Sequence, residues 1–177
     1  MKHFLTLVAF VAMAFTSEAA PLWMRYPTIS PDGTTIAFTY KGSIYTVPAT
    51  GGTATRITPT DNYDLHPVWS PDSKSLAYAS DRYGNLDIFT ISAKGGSPKR
   101  VTTHSASDTP YAFSNDGKRI YYSASAYDPA QSALFPKSAM SELYAINVEG
   151  GRPEQILATP AQLINFSRDG KSFLYQD

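Results

Sequence analysis

The 177 residues suffice for one ordinary domain and fall short of two large ones. Lys plus Arg and Asp plus Glu both number 15, so there is no basic excess to neutralise phosphates, and nucleic acid is not an expected partner. With no cysteine, disulfides, thiolate metal sites and cysteine nucleophiles are excluded together.

At the N-terminus, Met1-Lys2-His3 is a short positive start and Phe4 to Phe15 is an apolar run. Ser17-Glu18-Ala19 or Glu18-Ala19-Ala20 then offers small residues for cleavage. This pattern predicts a secretory signal peptide over residues 1–19 and export to the periplasm or the cell exterior. The run is short of the roughly 20 residues that span a bilayer, so no membrane span is expected after cleavage.

From Pro27 onward the chain repeats itself. Pro27-Thr-Ile-Ser-Pro-Asp-Gly33 returns as Pro67-Val-Trp-Ser-Pro-Asp-Ser73, Pro110-Tyr-Ala-Phe-Ser-Asn-Asp-Gly117 and Leu163-Ile-Asn-Phe-Ser-Arg-Asp-Gly170. The serines at 30, 70, 114 and 167 lie 40, 44 and 53 residues apart, and Gly-Gly pairs at 51–52, 95–96 and 150–151 keep the same beat. Asp-Gly suits a tight reversal after the first strand of each unit, and Gly-Gly suits one between the third and fourth.

Apolar runs fill the spaces in fixed order. Thr35–Tyr40, Ser75–Ser80, Arg119–Ala124 and Ser172–Tyr175 follow the first turn. Ser43–Val47, Leu86–Ile91 and Glu142–Val148 precede Gly-Gly, and Thr55–Thr58, Lys99–Thr102 and Glu154–Leu157 follow it. In the second run Ile36, Phe38 and Tyr40 alternate with Ala37 and Thr39, while Leu76, Tyr78 and Ser80 alternate with Ala77 and Ala79. Large residues therefore face one way and small ones the other, as stacking units require.

Four short strands in a unit of about 40–45 residues are the signature of a propeller blade. The expected fold is all-β: a partial β-propeller of about three and a half four-stranded blades. The blades fall at about 26–59, 66–103 and 109–158, with 162–177 an incomplete fourth. Propellers commonly close with four to eight blades, so a larger ring is expected, completed by further chain or by another subunit. No segment after residue 20 sustains a 3.6-residue apolar period, which argues against helical repeats.

Trp69-Ser-Pro-Asp72 with Ala77-Tyr-Ala-Ser-Asp-Arg-Tyr-Gly-Asn-Leu-Asp-Ile-Phe89 resembles the WD-like repeat of TolB-type propellers and tricorn-type proteases. Ala20–Gly33, Tyr40–Tyr45 and Phe135–Tyr144 are together similar to the first propeller of exported bacterial tricorn-protease homologues. The resemblance implies a non-catalytic segment of a serine peptidase. It would filter or channel peptides toward a downstream catalytic domain accompanied by a PDZ domain, or mediate assembly, including homo-oligomers. Two other readings fit the same repeat: a TolB-like envelope protein-binding module, and the propeller lid of a prolyl-oligopeptidase-like hydrolase.

Inside these residues, His66, Ser70 and Asp72 superficially suggest a serine triad. Ser30/Asp32 and Ser114/Asp116 hold the equivalent places without a histidine, so a turn is expected and no catalytic residue is assigned. Asp81, Asn85 and Asp87 could wrap a cation but lack the EF-hand order. A loop is expected instead, with Asp81 and Asn85 bonded to local backbone, Gly84 turning the chain, and Arg82 pairing with Asp87 or an adjacent blade. No cofactor or metal is expected. The lengthened stretch Ser125–Met140, with Leu134 and Phe135 as an apolar tip, is the candidate binding or assembly loop.

Overall fold

The structure, a computed structural model, describes residues 23–58, 61–125, 141–157, 159, 161–167 and 169–176. The predicted signal peptide and the candidate loop residues Leu134 and Phe135 lie outside these described residues.

Among the described residues, three four-stranded antiparallel sheets follow one another along the chain, and a two-stranded sheet comes last. The first holds β1 (Arg25–Ile29), β2 (Thr35–Tyr40), β3 (Ser43–Pro48) and β4 (Thr55–Arg56) in that order. The second holds β5 (Asp64–Trp69), β6 (Ser75–Ser80), β7 (Asp87–Ser92) and β8 (Lys99–Arg100). The third holds β9 (Asp108–Phe113), β10 (Arg119–Ser125), β11 (Ser141–Asn147) and β12 (Glu154–Leu157). β13 (Gln162–Phe166) pairs with β14 (Phe173–Gln176) in the last. Strands are connected in sequence order within each sheet, which is the blade topology expected from the repeat.

The Ser-x-Asp turns share one hydrogen-bond scheme. Ser30, Ser70, Ser114 and Ser167 each donate Oγ–H to the aspartate two residues on, at 2.6, 2.6, 2.6 and 2.7 Å. Each serine Oγ in turn accepts an N–H at 2.9–3.0 Å, from the residue opening the second strand or, at Ser172, from the residue just before it. The serine hydroxyl, the first of several donors, holds Asp32, Asp72, Asp116 and Asp169 below the usual carboxylate range. Three of these turns place glycine at positive φ, whereas Ser73 accepts φ 60° at the equivalent place.

Packing between sheets explains the large/small alternation. Ala37 and Ile44 of the first sheet meet Leu76, Tyr78, Phe89 and Ile91 of the second in one core. Ala77 and Ile88 of the second meet Ile120, Tyr122, Tyr144 and Ile146 of the third in the next. Both alanines and both tyrosines, Tyr78 and Tyr122, are fully buried. A methyl group on one sheet admits an aromatic ring from its neighbour, so each interface is filled without strain. The indole Nε1 of Trp69 donates to the Thr28 carbonyl at 3.2 Å, adding a polar tie between the first two blades.

Candidate functional site

The first strands of successive sheets pack beside one another: β1 on β5, β5 on β9 and β9 on β13. They are also the terminal strands of their sheets. The inner edge of each blade therefore lies along a common wall, where a propeller has its axis.

Each inner strand is bulged. Tyr26 and Pro27 together oppose Phe38, His66 and Pro67 oppose Tyr78, and Leu163 and Ile164 oppose Tyr175. The first residue of each pair is left-handed: Tyr26 and His66 at φ 53° and Leu163 at φ 49°. Large side chains at such φ cost about 1 kcal/mol or more, and bulges of this kind re-aim side chains. In β9 the equivalent residue is Pro110, whose ring forbids positive φ, and the extra residue is Tyr111 instead.

The bulges of the first two blades bring Tyr26 and His66 together, with ring centroids 3.7 Å apart and planes 34° from parallel. Tyr26 is 38% exposed and His66 half-buried. Burial lowers the His66 imidazole from its ordinary value, favouring the neutral ring at neutral pH. Trp23 stands 73% exposed beside β1, with the Arg25 guanidinium 5.2 Å from its ring centroid.

Behind this wall, at the end where inner strands begin, sit buried carboxylates. Asp64, Asp87 and Asp108 are fully buried. Arg82 reaches Asp64 at 3.6 Å and also donates to the Tyr78 hydroxyl at 3.2 Å. Arg100 holds Asp87 at 2.6 Å. Burial pushes all three acids up, with Arg82 partly offsetting it at Asp64 and Arg100 at Asp87. Asp108 is raised furthest, to about 7, by burial and then by the nearby Asp87 charge, against the pull of Thr102 and Arg100. Burial likewise raises the Tyr78 hydroxyl.

The Asp81–Asp87 loop departs from its expected pairing. Asp81 accepts the Tyr63 N–H at 2.8 Å, and Asn85 donates to the carbonyls of His104 and Ala106 at 2.9 and 2.8 Å. These partners lie on the connections into and out of the blade, 18 to 21 residues away, rather than on local backbone. Arg82 takes Asp64 and leaves Asp87 to Arg100. The loop thus knits consecutive blades, because its polar groups face the connections that cross the blade ends. Gly84 makes the turn at φ 101°. Among the described residues no group of three or more His, Asp or Glu side chains could hold a metal.

The tempting serine triad resolves into a turn: Ser70 Oγ is engaged by Asp72 and by the Ser75 N–H, while His66 stacks on Tyr26. The Tyr26–His66 juxtaposition was not legible in the sequence beforehand. Its one local signal is a proline after each bulged residue, Pro27 and Pro67, which the repeat alignment shows only as shared markers.

Blades of this topology, stacked about a common inner wall, define a WD-like β-propeller. Residues 21–177 match the family model of the tricorn protease N-terminal beta propeller domain, and the chain belongs to that family. It is 38% identical over 73 residues to tricorn protease homolog 1 of Streptomyces coelicolor, a stretch covering 41% of this chain and 7% of that protein. Among solved structures it is similar to a TolB chain of Agrobacterium tumefaciens, with a TM-score of 0.68 and 27% identity. That match covers 83% of this chain and 51% of the other. It also shares its fold with the tricorn protease, at a TM-score of 0.57 and 19% identity over 80% of this chain and 18% of that one. The chain thus spans a small part of the curated relative and about half of the TolB chain.

Proposed function

We propose that these blades serve a secreted tricorn-like serine peptidase as a non-catalytic segment that gates or channels peptide substrates. The family match over residues 21–177 carries the reading. Two features of the fold support it. The repeated serines are committed to turns, and the inner strands offer a wall with partly exposed aromatic rings rather than a closed core. The Met1–Ala20 pattern supports export to the periplasm or beyond.

The test is hydrolysis of fluorogenic peptides by the full-length protein, with mass-spectrometric mapping of a serine-directed covalent inhibitor. Turnover is expected, with the label on a serine outside residues 1–177. A label on Ser70 or another serine of these blades overturns the reading. The 27% identity to a TolB chain favours a second reading, a protein-binding module of the envelope. Neither turnover nor labelling, with stable capture of one envelope protein, would select it.

A further inference from the structure

The inner wall carries two observations that the turns and blade cores do not explain. Tyr26 and His66 hold a left-handed backbone at equivalent bulges of consecutive blades, where glycine would relieve the strain. Their side chains are thereby turned onto each other as one stacked pair, half open to the wall. A purely structural bulge would not need two large rings there.

The chemistry of the surroundings narrows what fits. β1 and β5 are sheet-terminal strands, whose free edges carry main-chain groups that a peptide backbone can meet. Pro27 and Pro67 follow the bulged residues and remove an N–H from each edge, so a continuous added strand cannot form. Selectivity then falls to side chains. Arg25 is the one charged residue of β1, and the one charged residue of β5, Asp64, is fully buried. Arg25 is exposed, so the charge beside the rings does not reject an acidic side chain; what the pair itself offers is a flat π-surface, which suits another ring.

We propose that the Tyr26–His66 pair is a contact point for extended peptides, favouring an aromatic or large apolar side chain over a small one. This rests on the channelling function proposed above and adds its specificity. The peptide's ring stacks on the pair while its backbone stays only loosely held by the proline-interrupted edges, as transit requires.

The experiment uses the full-length protein and three unstructured peptides that differ at one position, Phe, Ala or Asp. Tyr26→Gly and His66→Gly remove each ring while relieving the left-handed strain, so the fold survives; circular dichroism checks this. His66→Phe keeps a stack. Wild type is expected to prefer the Phe peptide in kcat/KM. Each glycine variant should reduce the Phe-to-Ala ratio about 5-fold, the scale of one aromatic contact, and His66→Phe should retain it. An unchanged ratio in both glycine variants, with turnover intact, overturns this inference and leaves the channelling reading standing. If wild type cleaves none of the peptides, the channelling reading fails, and fluorescence polarisation of the same labelled peptides decides the contact. Phe-selective binding lost in the glycine variants upholds it, and binding indifferent to Phe, Ala or the variants overturns it.

Discussion

The second blade and the final hairpin are built from the same repeat, yet their surfaces differ sharply. Tyr78 in the second blade is fully buried, whereas Tyr175, at the equivalent place in β14, is 45% exposed. Ala77 is fully buried and its counterpart Leu174 is 79% exposed. The hairpin packs one face through Tyr121, whose ring lies 4.5 Å from that of Phe166. The second blade is covered on both faces. What separates them is the neighbour and not the strand pairing. A blade's stability is mostly the interface it shares, as in other repeat architectures.

Substitutions at equivalent places of the 177-residue chain should make that contrast measurable. Tyr78→Ala should lower unfolding free energy by about 3–5 kcal/mol, the scale of truncating a large buried aromatic. Tyr175→Ala should cost less than about 1 kcal/mol, because its ring is already half in water. Urea denaturation of both variants checks the difference, and equal losses would refute the interface account.

The two regions should also differ in pH response. The inner strand of the third blade starts with buried Asp108, while Ala161 holds the corresponding place before β13. The folded Asp108 keeps its proton up to about pH 7, whereas the unfolded chain releases it near the ordinary 3.8 of an aspartate. Between those values the unfolded state binds fewer protons, so stability falls as pH rises and levels off above about 7. The contribution is at most about 4 kcal/mol. Asp108→Asn, which mimics the protonated acid, should flatten the decline and raise stability at pH 8. Denaturant midpoints measured from pH 4 to 8 test it; an unaltered profile would count against a protonated Asp108.

Smaller effects are expected from exchanging the small and large residues themselves. Ala77→Leu should overpack the second interface and cost about 1–3 kcal/mol. Leu174→Ala in the same 177-residue chain should fall within about 0.5 kcal/mol of neutral, as for other exposed sites. Thermal melts of the two variants check the order.

Much of this architecture could be read before any coordinates. The Ser-Pro-Asp and Gly-Gly spacing announces four strands per unit because tight reversals depend on local backbone chemistry. Ala77 beside Tyr78 announces the stacking faces because side-chain alternation in a strand has a period of two. The polar pairing of the Asp81–Asp87 loop was misplaced for the opposite reason. Asp81 and Asn85 find partners 18 to 21 residues away, on connections whose approach no local pattern encodes, and Arg82 finds Asp64 on the neighbouring strand β5.

What the sequence determined by itself is the blade: its four strands, its turns and its two unlike faces, each set by residues within a few positions of one another. Only the tertiary structure decided which carboxylates lie buried between blades, and that Tyr26 and His66, 40 residues apart in sequence, share one stack. Both depend on how one blade is placed on the next. That placement follows from the packing of alanine faces against aromatic faces and from bulges whose left-handed residues are marked in sequence only by the proline that follows two of them.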